Sequence, residues 1–504
     1  MSLESAAVAA HRFGFGPRPG ELAIIAADPR GWLEAQLVAE AAPPAPIAAL
    51  PSTGDDLAVL PLALLERGLS RRLAGGADQQ MADEDAVAAL RETLAPRVVA
   101  GAAARIEAAV TTAAPFRERL IHFWSNHFVV SGVKGITAAL PPSFERDVVR
   151  ANVVSDFATM LRASTRHPAM LLYLDNYLSI GPNSRYGRDP DARRSLPFGA
   201  RPEGLNENLA REILELHTVG VDGGYAQQDV IALAKVLTGW GVAPPFERRE
   251  IRQRLIATAR GRDGPDVSAL IDALRSRAAD VQGEDWFRFD ADAHEPGAFT
   301  VLGRTYPEGG VEQGESVLTD LARHPATAEH VATELVRHFV ADTPPPAAIA
   351  RVARTFRDTE GDLAELGRAL IACPQAWSPA PTKFKRPDEY LISVARGLGM
   401  TEVPGRVFTL ALTEMGQPPY RPPGPDGWPE LESHWASPDG LWKRLEWVDT
   451  LAARVATAGF GVGARAEDLL GPRLGRKTEQ AIARAASPSE ALALMLLSPE
   501  FMRR

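Results

Sequence analysis

Apolar residues recur at intervals of three and four along most of the chain, which is the spacing of one face of an α-helix. Clear examples are DAVAALRETLAPRVVAGAAARIEAAVTTA, QDVIALAKVLTGW, ATAEHVATELVRHFVAD, DLAELGRALIAC and EALALMLLSPEF. Runs that alternate β-branched and polar residues are scarce. The pattern predicts a mostly α, large multi-helix globular fold. A minor β hairpin or short strands are expected at 286–306, where Phe287 and Phe289 alternate with polar residues and Gly303 can end a hairpin.

Three segments rich in Pro and Gly, at 181–204, 373–387 and 416–430, interrupt the helical pattern. Proline removes a backbone donor and biases the preceding residue away from helix, so these segments are predicted to be ordered loops or linkers. None is long enough to require separate domains. We therefore expect a single domain over 1–504, within which 416–504 can form a C-terminal helical subdomain.

Charge and composition limit the classes of binding partner and the cellular location that the sequence allows. The formal net charge is −9, and an acidic chain lacks the continuous cationic surface that nucleic acids or anionic membranes require. The arginine-rich run at 247–262 contains glutamates and is predicted to be a solvated helix. No stretch has the ~18 or more apolar residues of a membrane span, and the N-terminus lacks a secretion signal. The expected location is cytoplasmic for the sequence as written, and the alternative is an exported protein whose signal has been removed.

Several familiar chemistries have no signature in the sequence. Cys373 is the only cysteine, which excludes an internal disulfide and a thiolate metal cluster within one chain. The motifs of zinc proteases, di-iron bundles, P-loop enzymes and serine hydrolases of the nucleophile-elbow type are absent. Because a dinucleotide fingerprint is also missing, no organic cofactor is expected.

The stretch GLNENLAREILELHTVGVDGGY, residues 204–225, concentrates polar side chains before a glycine-rich turn. Asn206 can cap a helix and Gly220 can end it, which predicts a helix over about 207–217. A solvated helix with internal ion pairs explains the polar face by itself. The flanking Asn residues and the tight turn favour a site instead, in which Arg211 is expected to reach a carboxylate outside its own helix. The residues on the polar face are Glu207, Asn208, Arg211, Glu212 and Glu215.

Together with YLDNYLSIGPNS, HEPGAFTVLGRTY and LLSPEFMRR, this stretch resembles the bacterial family known as domain of unknown function 1800. The resemblance covers nearly the whole chain, from AAHRFGFG onward, but the family has no established reaction. Ala226 departs from the pattern by losing a helix-capping hydroxyl, and Glu295 stands where Asp is usual. His217 stands where Phe is common, so a packing or rim position is expected for it. The resemblance highlights Trp124, Asn126, His127, Phe128, Asp175, Asn176, Asn206, Glu207, Asn208, Arg211, Glu212, Glu215, Tyr225, Asp229, Gly239, Trp240, His294, Lys385 and Pro387.

Two functions remain open. One is a hydrolytic or metal-assisted enzyme for a polar, anionic or saccharide-like small molecule, whose mixed carboxylate and imidazole groups would suit a divalent metal. The other is a non-catalytic binding or assembly module, in which the Asn/Glu/Arg motif is a buried structural network. The expected catalytic residues, which should converge, are His127, Glu207, Arg211, Glu212, Glu215 and His294. The expected substrate-binding residues are Asn126, Asp175, Asn176, Asn206, Asn208, Tyr225, Trp240 and Lys385.

The spacing of the histidines gives two further interpretations. His122 and His127 are about 140° apart around a helix, so one metal cannot bind both from one face. His330, Glu334 and His338 do align on one face, as metal ligands would. Because an apolar arc lies opposite and the resemblance does not include this row, we interpret it as the polar face of an ordinary helix.

Overall fold

The computed structural model describes residues 2–38, 42–57, 79–189, 204–243, 286–455 and 462–504. The arginine-rich run at 247–262 lies outside these ranges, as does most of the loop at 181–204. Within them the fold is mostly α-helical with short antiparallel strands, which confirms the class predicted from the hydrophobic spacing. None of the described helices is long and apolar enough to cross a membrane.

Local sequence sets the helix starts in the first part of the chain. Pro115 is the first residue of its helix, a position where a backbone N–H would have no acceptor within the helix, so proline loses no helical hydrogen bond there. Asp28 and Asp156 cap theirs by accepting the backbone N–H groups of Gly31 and Thr159. These α-helices are α1 (Leu3–Val8), α2 (Glu21–Ile25), α3 (Pro29–Glu34), α4 (Ala45–Ala48), α5 (Gln79–Thr111), α6 (Pro115–His127), α7 (Leu140–Phe144), α8 (Phe157–Arg166), α9 (Pro168–Tyr173) and α10 (Arg185–Arg188).

The described strands form two small antiparallel pairs. β1 (Trp240–Val242) pairs with β2 (Phe287–Phe289), and β3 (Phe299–Val301) pairs with β4 (Arg304–Tyr306). Gly303, with a φ of 77°, lies in the turn between β3 and β4, as expected. The short β structure predicted at 286–306 is therefore confirmed. β1 was not expected, because its three residues directly follow a helical pattern.

The second half of the chain is again helical and matches the periodic stretches closely. Over the residues that the structure describes, π-helical segments lie at Ala9–Phe13, Glu145–Arg150 and Ile213–His217, and 3₁₀ turns lie at Gly135–Thr137, Asn176–Leu178, Pro374–Trp377 and Gly471–Arg473. The remaining α-helices are α11 (Asn208–Glu212), α12 (Gln227–Val236), α13 (Val311–Ala322), α14 (Pro325–Phe339), α15 (Pro346–Asp358), α16 (Leu363–Ile371), α17 (Pro387–Gly397), α18 (Gly405–Glu414), α19 (Glu432–Trp435), α20 (Pro438–Val455), α21 (Val462–Leu470), α22 (Arg476–Ala483), α23 (Pro488–Leu496) and α24 (Pro499–Met502).

Apolar side chains form two main buried clusters. The larger one extends along the chain from Ala6 to Ala376 and includes the fully buried Trp124 and Trp240. The second joins Phe15 and the end of α5 to buried residues between 390 and 501. A C-terminal subdomain at 416–504 stays a prediction, and the second cluster takes in helices on both sides of residue 416.

Candidate functional site

A cleft of about 680 Å³ opens between the end of α6, the middle of α14 and the loop that precedes α19. Its volume lies in the range typical of small-molecule sites. The lining combines aromatic rings, hydrogen-bonding groups and carboxylates. The residues are Phe123, Asn126, His127, Leu216, Glu334, Arg337, Asp342, Thr343, Asp426, Trp428, Pro429, Glu430, Leu431 and Ser433.

His127, the last residue of α6, lies in the wall of this cleft and is held from both ring nitrogens. Its Nδ1 is 2.6 Å from Glu334 Oε2, and its Nε2 is 3.2 Å from the backbone oxygen of His217. The ring is packed edge-on against Trp124 and Phe128. Because these contacts come from its own stretch of chain and from two distant ones, the orientation of the imidazole is fixed by the fold.

His330 and Glu334, one turn apart on α14, complete a cluster with His127. His330 Nε2 lies 2.9 Å from the Leu216 oxygen and 3.8 Å from Glu334 Oε1. Ligand atoms from His127, His330 and Glu334 all lie within 4.8 Å of one another, so these three residues can hold a metal ion. Burial alone would raise the pKa of Glu334, but the neighbouring His127 outweighs it and keeps that pKa below its usual value.

We interpreted His330, Glu334 and His338 on α14 as the polar face of an ordinary helix. This interpretation does not describe His330 and Glu334, which form the cluster with His127. His338, the third member, has a different environment. It is fully buried, and its Nδ1 lies 2.9 Å from Glu430 Oε1. His122 is also separate from the cluster, as expected, since its ring nitrogens face Glu118 and Asp388 at 3.8 Å.

The helix of the Asn/Glu/Arg motif, called the motif helix below, begins at Asn208 and then changes geometry. Its N-cap is Glu207, which makes no side-chain cap bond, so the prediction of Asn206 as the N-cap is wrong by one residue. The side-chain oxygen of Asn206 accepts the N–H of Asn208, and α11 follows. From Ile213 to His217 the helix widens into a π turn, and Gly220 then adopts a left-handed φ of 85°. The Leu216 and His217 carbonyls that contact His330 and His127 belong to this turn. The helix predicted over 207–217 therefore exists, and its C-terminal end supplies oxygen partners to the cluster.

Arg211 forms a paired network on the motif helix. It donates to Glu207 at 3.0 Å, to Glu215 at 3.3 Å and to the side-chain oxygen of Gln227 at 2.9 Å. The expectation that Arg211 reaches a carboxylate outside its own helix is wrong for the described residues, because the outside partner is the amide of Gln227. The helix period places Glu207, Arg211 and Glu215 one turn apart, so they satisfy one another locally.

Glu212 has a different environment from the paired carboxylates around it. Burial, together with the negative charges of Glu215 and Asp426, raises the pKa of Glu212 to about 7. Glu212 is not in the cleft lining, but the charge of Asp426, an exposed residue of that lining, acts on it. Burial and a hydrogen bond to Glu215 also raise the pKa of Tyr225, to about 12.

Several expected binding residues have structural contacts outside the cleft, and their role in substrate binding stays a prediction. Asn176 is buried and donates to the carbonyls of Leu237 and Trp240. Asp175, in a left-handed conformation, pairs with Lys134 at 2.5 Å. The side chain of Asn206 donates to the Asp175 carbonyl, and Asn208 is exposed. The Trp240 ring lies in the core. These residues join loop and helix ends, and none of them is in the cleft lining.

His294 and Lys385 lie in two further environments. His294 Nδ1 is 2.9 Å from the Thr238 oxygen, and its ring packs against Phe289. None of the hydrogen bonds and ring contacts described for His294 involves a residue that contacts His127, so their convergence stays a prediction. Lys385 is fully buried over the Phe501 ring. Burial lowers the pKa of Lys385 well below its usual value.

Of the expected residues, the structure places Asn126 and His127 in the cleft lining, and the charge of the lining residue Asp426 acts on Glu212. The sequence did not indicate Asp426 and Trp428 as site residues, and His330 and Glu334 were interpreted as part of an ordinary polar helix face. The four-residue spacing of His330 and Glu334 was a usable signal. No local pattern marks Asp426 and Trp428, because they lie in a loop that α6 holds through reciprocal Asn126–Trp428 hydrogen bonds.

The protein is thus mostly α-helical, and its cleft is lined by histidine, carboxylate and aromatic groups. The chain belongs to the family described as protein of unknown function (DUF1800), which matches residues 8–503. No curated protein and no solved structure matches the chain. Because the family description contains no reaction, the function has to be inferred from the chemistry of the cleft.

Proposed function

We propose that the protein is a hydrolytic enzyme that acts on a polar substrate in the 680 Å³ cleft. The observation that carries this proposal is a pair of carboxyl groups with opposite pKa shifts: Glu334 in the cleft lining, and Glu212, on which the charge of the lining residue Asp426 acts. The pKa of Glu334 is held below its usual value by His127, whereas burial raises the pKa of Glu212 to about 7. Environments that push the pKa values of two carboxyl groups apart are typical of acid and base pairs in enzymes.

The roles follow from these protonation states. Glu334 is ionised at neutral pH and can accept a proton from water or bind an ion. Glu212 is protonated in a large fraction of molecules at neutral pH and can donate a proton to a leaving group. His127 orients Glu334, since both of its ring nitrogens are already engaged with oxygen atoms.

The lining favours a neutral, saccharide-like substrate over an anionic one. Arg337 is the cation among the lining residues, which also include four carboxylates. Trp428 and Phe123 offer apolar faces, while Asn126 and Ser433 offer hydrogen-bonding groups. A multiply charged anion would meet net negative charge in such a cleft.

The test is a screen of purified protein against chromogenic glycosides, esters and phosphoesters, followed by kinetics of Glu212→Gln. We expect kcat to fall on the order of 100-fold, because a positioned general acid contributes about that much. Wild-type activity should decline as the pH rises through about 7 and Glu212 loses its proton. This alkaline limb should disappear in Glu212→Gln.

The control is Glu365→Gln, which removes an exposed carboxylate that pairs with Arg368. It should retain wild-type activity and pH dependence. Absence of hydrolysis in the whole screen, or an unchanged profile in Glu212→Gln, would overturn the proposal.

A binding or assembly module is the second candidate, and the Arg211 network supports it. Glu207, Arg211, Glu215 and Gln227 are paired with one another, as a structural motif requires. This alternative predicts that oligosaccharides raise the thermal unfolding temperature without being cleaved.

A further inference from the structure

The cluster of His127, His330 and Glu334 contains more oxygen acceptors than its histidines can satisfy as neutral rings. His127 directs Nδ1 at a carboxylate oxygen and Nε2 at a carbonyl oxygen. A neutral imidazole carries a proton on only one of its nitrogens, so the other would present a lone pair to an oxygen lone pair. A cation between His127 and Glu334, either a proton or a metal ion, removes this repulsion.

His330 adds a second imidazole nitrogen to the same region. Its Nε2 faces the Leu216 oxygen at 2.9 Å and Glu334 Oε1 at 3.8 Å. Two imidazole nitrogens, one carboxylate and a backbone carbonyl thus surround one small region at the cleft wall.

The support of the three side chains is rigid, as a metal site needs. His330 and Glu334 are one turn apart on α14, a helix of 15 residues, and His127 ends a helix of 13 residues. The His217 carbonyl fixes the orientation of the His127 ring in the way that outer hydrogen bonds orient metal-binding histidines. Little rearrangement is therefore required for an ion to bind.

We infer that His127, His330 and Glu334 bind a divalent transition-metal ion of the zinc class at the cleft wall. Two imidazoles and one carboxylate form a ligand set found in zinc hydrolases, where a further position is left for water or substrate. Here the cleft provides the open side. The chemical role of the ion, activation of water, rests on the hydrolytic function proposed above, but its binding does not.

The experiment uses the full chain, stripped with a chelator and titrated with zinc chloride by calorimetry, with elemental analysis after dialysis. We expect one ion per chain. Glu334→Gln and His330→Ala, both on the partly exposed side of the cluster, should weaken zinc binding by about tenfold or more. Cobalt(II) should give a visible absorption band in the wild type that both variants lose.

The matched control is Glu329→Gln, which changes an exposed glutamate next to His330 on the same helix. It should bind zinc like the wild type, and circular dichroism should show that all variants remain folded. No stoichiometric zinc, or equal affinity in Glu334→Gln and the wild type, would overturn the metal site and leave a proton shared by His127 and Glu334. Zinc binding without hydrolysis would support the site and overturn the proposed reaction.

Discussion

Two clusters of arginine and carboxylate groups in this protein have similar composition and opposite surroundings. In the interior of the protein, Glu389 pairs with Arg119 and Arg504, and all three side chains are at most 2% exposed. On the motif helix, Arg211 pairs with Glu207 and Glu215 at 26–36% exposure. The motif cluster is conspicuous in the sequence, whereas the three members of the buried cluster are scattered along it.

The difference in burial decides what each cluster contributes to stability. In the interior, removing one partner leaves an uncompensated charge without water, which is strongly destabilising. At a partly exposed site, solvent screens the pair and the contribution is small. Arg119 and Arg504 accordingly outweigh burial and hold the pKa of Glu389 well below its usual value. A dense group of polar residues in the sequence is therefore a weak indication of which charged residues contribute most to stability.

The largest effect is expected from Glu389→Gln. The variant keeps the shape of the side chain but leaves Arg119 and Arg504 buried without their counter-charge, so it should cost about 3–5 kcal/mol of unfolding free energy. The measurement is the urea midpoint followed by circular dichroism. Glu365→Gln, which removes an exposed partner of Arg368, is the control and should shift the midpoint little. A cost of less than about 1 kcal/mol would contradict the contrast between the two clusters.

An intermediate effect is expected from Asn126→Ala. Asn126 accepts the N–H of Trp428 at 2.7 Å and donates to the Trp428 carbonyl at 3.0 Å. Loss of two partly buried neutral hydrogen bonds should cost about 1–3 kcal/mol and speed proteolysis within the loop at 416–430. Asn152→Ala, which removes a single bond to the Val148 carbonyl, is the control. Equal cleavage rates in both variants would show that Asn126 does not fix the loop.

The smallest effect is expected from Arg211→Ala. Its carboxylate partners remain partly exposed to water, so the loss should be about 0–1 kcal/mol and should shrink as salt is added. Thermal unfolding at low and high salt measures both quantities. A loss above about 2 kcal/mol, independent of salt, would mean that the motif network behaves like the buried cluster.

The fold was predictable because helical periodicity is a local property. Stretches such as 326–342 and 362–373 contain enough apolar repeats to specify their helices. All of α14 except Pro325 lies within the first stretch, and α16 lies within the second. The π turn was not predictable, since one widened turn leaves the apolar spacing nearly unchanged. β1 was also missed, because its partner β2 lies beyond residue 285 and strand pairing is not local.

The candidate site was only partly predictable, for a related reason. His127 and Glu334 are 207 positions apart, and only the packed structure brings their side chains together. The spacing of His330 and Glu334 indicated a shared face, but not what that face contacts. Conversely, the motif residues Glu207 and Arg211 gave the strongest local pattern because they are partners of each other.

The π turn at Ile213–His217 limits which mutations this part of the gene can accommodate. A π turn closes over one residue more than an α turn, so it is equivalent to an insertion within the motif helix. Deleting one residue there would allow an ordinary α-helix but would rotate the Leu216 and His217 carbonyls away from His330 and His127. Substitutions within this turn are thus easier to accommodate than changes in its length.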